Sequence, residues 1–417
     1  MRRSDVVIIG GGIVGLLTSY FLSRKNYDVK IVTESDTANT ASWVNAGYIA
    51  ASFGHPIPDV ESLPHIIKLT FSKDSPIKVS PTYLLKSLTP SSWIWRFIKH
   101  SRKRSSTEYF KTIRTLCFEG ADLLEKIIES SGIDVFVGKT ILEVYLHEDV
   151  MLENLEKNRE HLRGGIRSLT RSECLELEPL LSDKVVGGII FEYDKYVNPV
   201  ELMEKLTEFT RKELGVEFMY DRAVSLEVER GKVVGVRLSN GEVLSASDFV
   251  ACNGMGAVEL LFNLGLKLPL AAGFGYTIVT EPYHLRMGRA VVCGEFRLAT
   301  SQTRDGRFRA SGYFELGGNP STVLEERCLT IQRKASQYLP ALGGLNVVEK
   351  RFGARPCTPD GLPYVGGVGV SGLTVNVGHC RLGLTTGAAT AKLVCELLEG
   401  VKNPLTEVLD PTRMLEA

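Results

Sequence analysis

The sequence predicts an α/β (α+β) fold, a Rossmann-like dinucleotide-binding domain joined to a second, substrate domain of antiparallel sheet plus helices. Three observations predict it. An apolar strand, Val6-Val7-Ile8-Ile9, runs straight into Gly10-Gly11-Gly12-Ile13-Val14-Gly15. A second strand, Val29 to Thr33, ends at the acid Glu34, about 20 residues beyond the glycines. The end of the chain returns to the same alternation, with a strand Leu373–Val377, a loop from Gly378 to Gly383 and a helix from Leu384 to about Leu398.

Each part of the opening stretch has a physical task. Gly10 permits a backbone conformation that a side chain disfavours, Gly12 lets the main chain approach a pyrophosphate, and Gly15 lets the following helix pack on the strand. That helix, Leu16 to about Asn26, aims its N-terminal amides at phosphate and carries Arg24 and Lys25 in its last turn, where positive charge is favourable. The Glu34 carboxylate can accept both ribose hydroxyls of an adenosine. An acid in that place, where a 2′-phosphate would want arginine, argues against NADP.

The 417 residues, 44% hydrophobic and 24% charged, suffice for two domains with sizeable cores. Lys plus Arg equals Asp plus Glu at 49 each, so no global field recruits nucleic acid. No stretch reaches the roughly 18 apolar residues of a membrane span, and the N-terminal apolar run is accounted for as strand and glycine turn, which makes the cytoplasm the expected location. The eight cysteines (117, 174, 252, 293, 328, 357, 380 and 395) include no CxxC pair, so no metal site is expected and most read as buried small hydrophobes. The three glutamines point to a thermophilic source.

Along the chain, Thr40 to Tyr48 is a small-residue stretch with two aromatics, readable as a surface loop or as a wall for a flat ligand, and a proline-rich loop follows. Trp93, Trp95 and Phe97 stand beside Arg96, Lys99 and Arg102 to Arg104, which reads either as a helix with one packed face or as a peripheral contact with an anionic bilayer. Phe110, Ile113, Leu116, Leu123, Ile127 and Ile128 recur at helical spacing up to Gly132. Strands are expected near Val135 and Val144, then a polar helix from Glu153 to His161. Thr170 to Glu173 spells a capping box, and Asn198-Pro199 an N-cap with proline at N1 of a helix ending before Gly215. Residues 223–250 form a three-stranded meander around Gly231-Lys232 and Asn240-Gly241, followed by a strand running into Asn253-Gly254. Three strands, near Tyr276–Val279, Val291-Val292 and Phe308–Ala310, form the separate antiparallel sheet. The implied division is 1–80, 165–262 and 350–417 for the nucleotide-binding domain, with 81–164 and 263–349 for the substrate domain.

The C-terminal region carries a second signature, Gly353-Ala354-Arg355-Pro356-Cys357-Thr358-Pro359-Asp360-Gly361-Leu362-Pro363, followed by Gly378-His379-Cys380-Arg381-Leu382-Gly383-Leu384-Thr385. With the opening glycines, Glu34 and Asn45-Ala46-Gly47, these motifs resemble the D-amino-acid oxidase superfamily over nearly the whole chain, most closely D-amino-acid dehydrogenases and dye-linked proline dehydrogenases.

The resemblance implies noncovalent FAD, with the ADP half on Gly10, Gly12, Gly15 and Glu34 and the adenine meeting the backbone of Val224. It places Ser42, Asn45, Ala46 and Gly47 along the isoalloxazine, with Asn253, Gly254, Gly353 and Gly378 completing the cofactor set. The amides of Gly383, Leu384 and Thr385 would face the flavin pyrimidine, where a helix N-terminus stabilises the negative charge that hydride arrival leaves. Arg355 matches the arginine that binds the substrate carboxylate, for which a planar guanidinium fork is suited. Arg381 falls where glycine-oxidase-like members carry an arginine and D-amino-acid dehydrogenases a small residue, while Tyr48 and Tyr276 are candidate lining residues. His379 reads as a structural histidine, and Cys357 does not align with the cysteine that anchors flavin covalently in sarcosine oxidases.

The expected reaction is oxidation of a free amino acid, proline or a similar secondary or D-amino acid, to its imine by hydride transfer from Cα to flavin. The lysine-free stretch between Lys267 and Lys334 lacks the oxygen-activating lysine of sarcosine-oxidase-like enzymes, so a quinone or artificial dye is the expected acceptor. A glycine- or sarcosine-type oxidase, a subunit requiring a partner and a non-catalytic flavin-binding assembly protein are the alternatives. A homo-oligomer is compatible with the sequence.

Overall fold

The apolar N-terminal run becomes the centre of a six-stranded sheet. In the computed structural model, which describes residues 3–34, 40–52, 75–80, 83, 92–101, 105–159 and 166–415, the strand order is Tyr364–Gly367, Leu373–Val377, Asp248–Ala251, Arg3–Ile9, Tyr27–Thr33, Glu217–Tyr220. Every pairing is parallel except the antiparallel edge formed by Tyr364–Gly367. Val6 and Ile8 enter one apolar core and Val7 and Ile9 the other. A strand buried on both faces reads as a continuous apolar run rather than an alternation, and each such side chain contributes about 1.5–3 kcal/mol of burial.

The first helix runs Ile13–Arg24, starting three residues before the expected Leu16 and ending with Lys25 as C-cap. Its early start has a distant cause, because Ser42 Oγ accepts the Ile13 amide at 3.0 Å. It packs against the Gly383–Leu398 helix. Small residues permit the approach, since a Cβ at Gly387 would lie 3.2 Å from Leu17 Cδ1. The meander forms as expected from Ala223–Glu229, Lys232–Leu238 and Val243–Ser245, with Arg230 and Gly231 both at positive φ in its first turn.

The second sheet has ten strands, in the order Val347–Cys357, Ala271–Pro282, Arg307–Leu316, Leu298–Gln302, Ala290–Cys293, Val137–Tyr145, Gly187–Val197, Tyr48–Ile49. Ile77–Val79 is added beside Arg307–Leu316, and Ile166–Thr170 beside Gly187–Val197. It departs from the expected antiparallel sheet in two pairings, Ala290–Cys293 with Val137–Tyr145 and Arg307–Leu316 with Ile77–Val79, which are parallel. Between 270 and 316 there are four strands rather than three. The additional one, Leu298–Gln302, is Leu-Ala-Thr-Ser-Gln and shows no apolar run. The two strands expected near Val135 and Val144 are one, Val137–Tyr145, preceded by a tight turn in which Val135 donates to the Ile133 carbonyl. Ile166–Thr170, Gly187–Val197 and Val347–Cys357, grouped in sequence with the nucleotide-binding part, hydrogen-bond in the ten-stranded sheet.

The capping box at Thr170 and the Asn198 cap with Pro199 at N1 form as read. The polar helix spans Glu148–Arg159, with the acids Glu148 and Asp149 in its first turn; its expected end at His161 lies outside the described residues. The Trp93–Ser101 helix buries Trp93 and Phe97, stacked at 5.2 Å, and leaves Trp95 51% exposed. The proline-rich loop after Ser52 and the basic Arg102–Arg104 run lie outside the described residues. No helix among those described is long and apolar enough to cross a membrane.

Candidate active site

The glycine turn is shaped for close approach. Gly10 has φ +113°, and a Cβ there would stand 2.7 Å from the Asn253 backbone; a Cβ at Gly15 would lie 1.9 Å from the Gly10 carbonyl oxygen. Gly12 caps the first helix without any side-chain cap, facing Ser42. Glu34 is exposed at the end of Tyr27–Thr33, and the Val224 carbonyl accepts Asn263 Nδ2 at 3.1 Å. Gly254, at φ +59°, closes the turn after Asp248–Ala251.

Residues 40–49 fold as a short helix, Ala41–Val44, and a two-residue strand, Tyr48–Ile49. The Asn45 amide donates to the Ala41 and Ser42 carbonyls and accepts the Gly47 amide at 2.7 Å. Gly47 has φ +79°, with space for a Cβ closed by the Val197 carbonyl at 1.9 Å, while Gly353 passes beside Val44. From the ten-stranded sheet, Arg309 donates to the Asn45 carbonyl at 2.9 Å and the Trp43 carbonyl at 2.7 Å, and Thr277 Oγ1 donates to the Val44 carbonyl at 2.6 Å. Burial lowers the Arg309 pKa to about 10, and the group stays charged at neutral pH. Arg309 and Thr277 were not singled out in the sequence. A charged residue between Phe308 and Ala310 in a strand was the available signal for the first.

Tyr48 places its hydroxyl 3.0 Å from the carbonyls of both Val291 and Thr300, bracing the hairpin between Ala290–Cys293 and Leu298–Gln302. Tyr276 is buried and donates to Glu315 at 2.9 Å, the carboxylate that also pairs with Arg327 at 3.2 Å. Both tyrosines are thus fastened to the sheet.

Arg355 lies on Val347–Cys357, and its Nη1 donates to the Tyr313 carbonyl at 2.8 Å. Burial first, then the charge of Arg381, lowers its pKa to about 10. Burial and the charge of Arg297 lower Arg381 to about 10 as well. Arg297 and Arg381 are nevertheless exposed and Arg355 half-buried. A groove of about 870 Å³ along the Ser105–Ser130 helix, lined by Lys111, Arg114, Phe118 and Lys392 among others, contains none of them.

Gly378, at φ +89°, precedes His379, whose ring nitrogens meet Thr386 Oγ1 at 2.9 Å and Asn376 Oδ1 at 3.1 Å. Burial pushes its pKa down to about 4. Thr385 Oγ1 accepts the Ala50 amide at 3.2 Å, and the Gly383–Leu398 helix starts without a side-chain cap, with Gly383 and Leu384 in its first turn. Asp360 of the second motif is fully buried and bound to Arg413 at 2.8 Å. Cys357 and Cys380 form a disulfide, which the scattered cysteines did not indicate.

A flat dinucleotide fits this arrangement. The uncapped starts of two helices, the Gly10–Gly15 cradle and the buried, unpartnered Trp43 Nε1, Asn253 Oδ1 and Thr358 Oγ1 supply donors and acceptors that the protein does not use internally. The family model for FAD-dependent oxidoreductases (DAO) matches residues 5–397. The chain belongs to this family. As an FAD-dependent oxidoreductase it is 26% identical over 97% of each chain to a D-amino acid dehydrogenase of Vibrio cholerae serotype O1, and 28% identical over 95% of each to one of Paramagnetospirillum magneticum. Its fold is similar to that of an iminodiacetate oxidase from a Chelativorans species (TM-score 0.75, 20% identity, 97% of this chain and 98% of that one). It is also similar to glycine oxidase of Bacillus cereus (0.72, 20%, 98% of each) and to L-proline dehydrogenase of P. horikoshii (0.70, 18%, 99% and 98%).

Proposed function

We propose that this FAD-dependent oxidoreductase is an amino-acid dehydrogenase that oxidises a D-amino acid or a secondary amino acid such as proline to its imine. The observation that carries the reading is Arg355, charged and half-buried, fastened by one nitrogen to the Tyr313 carbonyl and close enough to the exposed Arg381 to feel its charge. Noncovalent FAD, held by Gly10, Gly12, Gly15 and Glu34 and flanked by Ser42, Asn45, Ala46 and Gly47, supplies the hydride acceptor when bound.

The chain's own residues do the rest. Arg355 grips the substrate carboxylate through its remaining donors and Arg381 adds a second positive charge, fixing which Cα–H is presented. The pinned 43–47 segment keeps the facing wall rigid. The start of the Gly383–Leu398 helix supplies amides for the negative charge that develops on the acceptor. His379 takes no proton, since both ring nitrogens are engaged and burial keeps it neutral; loss of the amine proton to water precedes hydride transfer. The lysine-free stretch 268–333 supports a quinone or dye acceptor over oxygen. Exposed Trp95, beside Arg96 and Lys99, offers a contact with a membrane that would hold such a quinone.

The test is anaerobic bleaching of the flavin absorbance by D- and L-amino acids, both prolines, sarcosine and glycine. Rapid bleaching by one of them supports the reading, and no bleaching by any refutes it. Peroxide formed in air would favour the oxidase alternative. Arg355→Ala should retain FAD and lose about 3 kcal/mol in kcat/KM, roughly a hundredfold.

A further inference from the structure

We propose that Tyr313 is a positioning residue for the substrate carboxylate: a bulge in its strand turns its backbone carbonyl onto Arg355 and so sets how the guanidinium meets the ligand. The inference rests on the amino-acid reading above, in which Arg355 holds that carboxylate, and adds what holds Arg355.

The pairing of Ala271–Pro282 with Arg307–Leu316 loses step at one place. Phe274 pairs with Glu315 and Tyr276 with Gly312, so Gly275 alone stands opposite two residues, Tyr313 and Phe314. A bulge of this kind re-aims a group that a regular ladder would keep in line. Tyr313 has φ +67°, a left-handed backbone that is an outlier for a bulky side chain. Its carbonyl accepts Arg355 Nη1 at 2.8 Å. Arg355 arrives from the far side, because Val347–Cys357 and Arg307–Leu316 flank Ala271–Pro282, and the guanidinium crosses that middle strand at Gly275, opposite the bulge. Among the described residues Nε and Nη2 make no hydrogen bond, so their donors remain for a carboxylate.

A strained backbone persists only where its surroundings fix it, and here they do. The Tyr313 ring is buried, edge-on to Tyr276 at 6.0 Å and beneath the Arg327 guanidinium at 5.4 Å. Glu315 ties those two partners together, accepting Tyr276 at 2.9 Å and Arg327 at 3.2 Å. On the other side of the bulge the Phe314 amide donates to the Pro76 carbonyl at 2.8 Å, and the Phe314 ring fills the space beside Gly273, where a Cβ would stand 2.4 Å from it. The carbonyl that meets Arg355 is therefore fixed before any ligand arrives. A guanidinium tethered through one nitrogen has less freedom to lose when the others close on a carboxylate.

The test separates the backbone from the ring. Tyr313→Val and Tyr313→Asn both remove the ring, but a β-branched residue resists the left-handed conformation and asparagine accepts it. Calorimetric titration of the flavin-loaded proteins with pentanoate and with pentanamide, at fixed ionic strength, reads the carboxylate grip apart from turnover. The parent should bind pentanoate at least tenfold more tightly, Tyr313→Asn should keep that ratio within threefold, and Tyr313→Val should bring it below threefold. Should Tyr313→Val not retain flavin, Tyr313→Ala, with a milder penalty, should fall between the parent and parity. A parent without preference for pentanoate, or equal ratios in the asparagine variant and its β-branched or alanine counterpart, overturns the proposal. A loss of folding alone would weaken both ligands together and leave the ratio unchanged. Anaerobic flavin bleaching by the amino-acid panel decides the other reading: bleaching with no pentanoate preference overturns the role of Tyr313 and leaves the dehydrogenase standing. No bleaching refutes the dehydrogenase, and the titration still decides Tyr313.

Discussion

Gly275 leaves the space that the Arg355 guanidinium fills, for a Cβ there would stand 2.1 Å from Nη2 and 2.4 Å from Cζ. The two residues lie on paired strands, with Gly273 opposite Arg355, so the side chain reaches diagonally across the Ala271–Pro282 strand to the next position on the same face. Gly275→Ala displaces the end of a long side chain rather than backbone, so the fold should tolerate it. Flavin content and Tm are expected to stay close to those of the parent protein while kcat/KM for the amino acid falls about tenfold or more. Steady-state kinetics on the two proteins checks this, and undiminished kcat/KM would show that the position of Arg355 does not matter.

Arg309 should govern cofactor retention. Arg309→Met keeps the volume and leaves two carbonyls, on Trp43 and Asn45, without their donor. The expected cost is about 2–3 kcal/mol, read as a weaker Kd of the apoprotein for FAD with unchanged far-UV circular dichroism.

The Cys357–Cys380 disulfide ties the end of the Arg355 strand to the turn before Gly383–Leu398, across a sequence separation of 23. A loop of that length is worth about 3 kcal/mol when cross-linked. The double variant Cys357→Ala, Cys380→Ala should therefore lower Tm by a few degrees. Mass spectrometry of protein alkylated before and after reduction should find two more alkylated cysteines in the reduced sample.

His379 gives stability a specific acid limb. Its pKa falls from 6.5 unfolded to about 4 folded, so below pH 6.5 the unfolded chain binds a proton that the native chain refuses. Stability is lost as pH drops from 6.5 to 4, by at most about 3 kcal/mol. Asp194 runs oppositely, because burial raises its carboxyl to about 7; it favours the fold below its unfolded value near 4, and that contribution is lost as pH rises through 7. Urea denaturation of His379→Gln against the parent isolates the histidine, and the difference between the two should vanish above pH 7.

What the sequence disclosed was whatever a local rule governs. The Gly10–Gly15 turn, the Thr170 capping box, the Asn198-Pro199 start and the meander around Gly231 each depend on residues within a few positions of one another, and each is found as read. Leu298–Gln302 went unread because its position between two other strands, not its composition, makes it a strand. Ser42 as a distant cap for Ile13, Arg309 beneath Asn45 and the Cys357–Cys380 pair are contacts between residues 29, 264 and 23 apart, and no spacing rule reaches them. Arg355 was legible through its motif, whereas the glycine that makes room for it lies 80 residues earlier and has no signature of its own.

The strand order of the six-stranded sheet also bears on how the chain is synthesised. Arg3–Ile9 leaves the ribosome first, yet one neighbour, Asp248–Ala251, arrives more than two hundred residues later, and that strand in turn waits for Leu373–Val377. Until then the two-sided apolar strand has only Tyr27–Thr33, and later Glu217–Tyr220 beyond it, to pair with. Until Asp248–Ala251 has been made, the nascent Arg3–Ile9 strand keeps one apolar edge unpaired, a state that favours aggregation over folding.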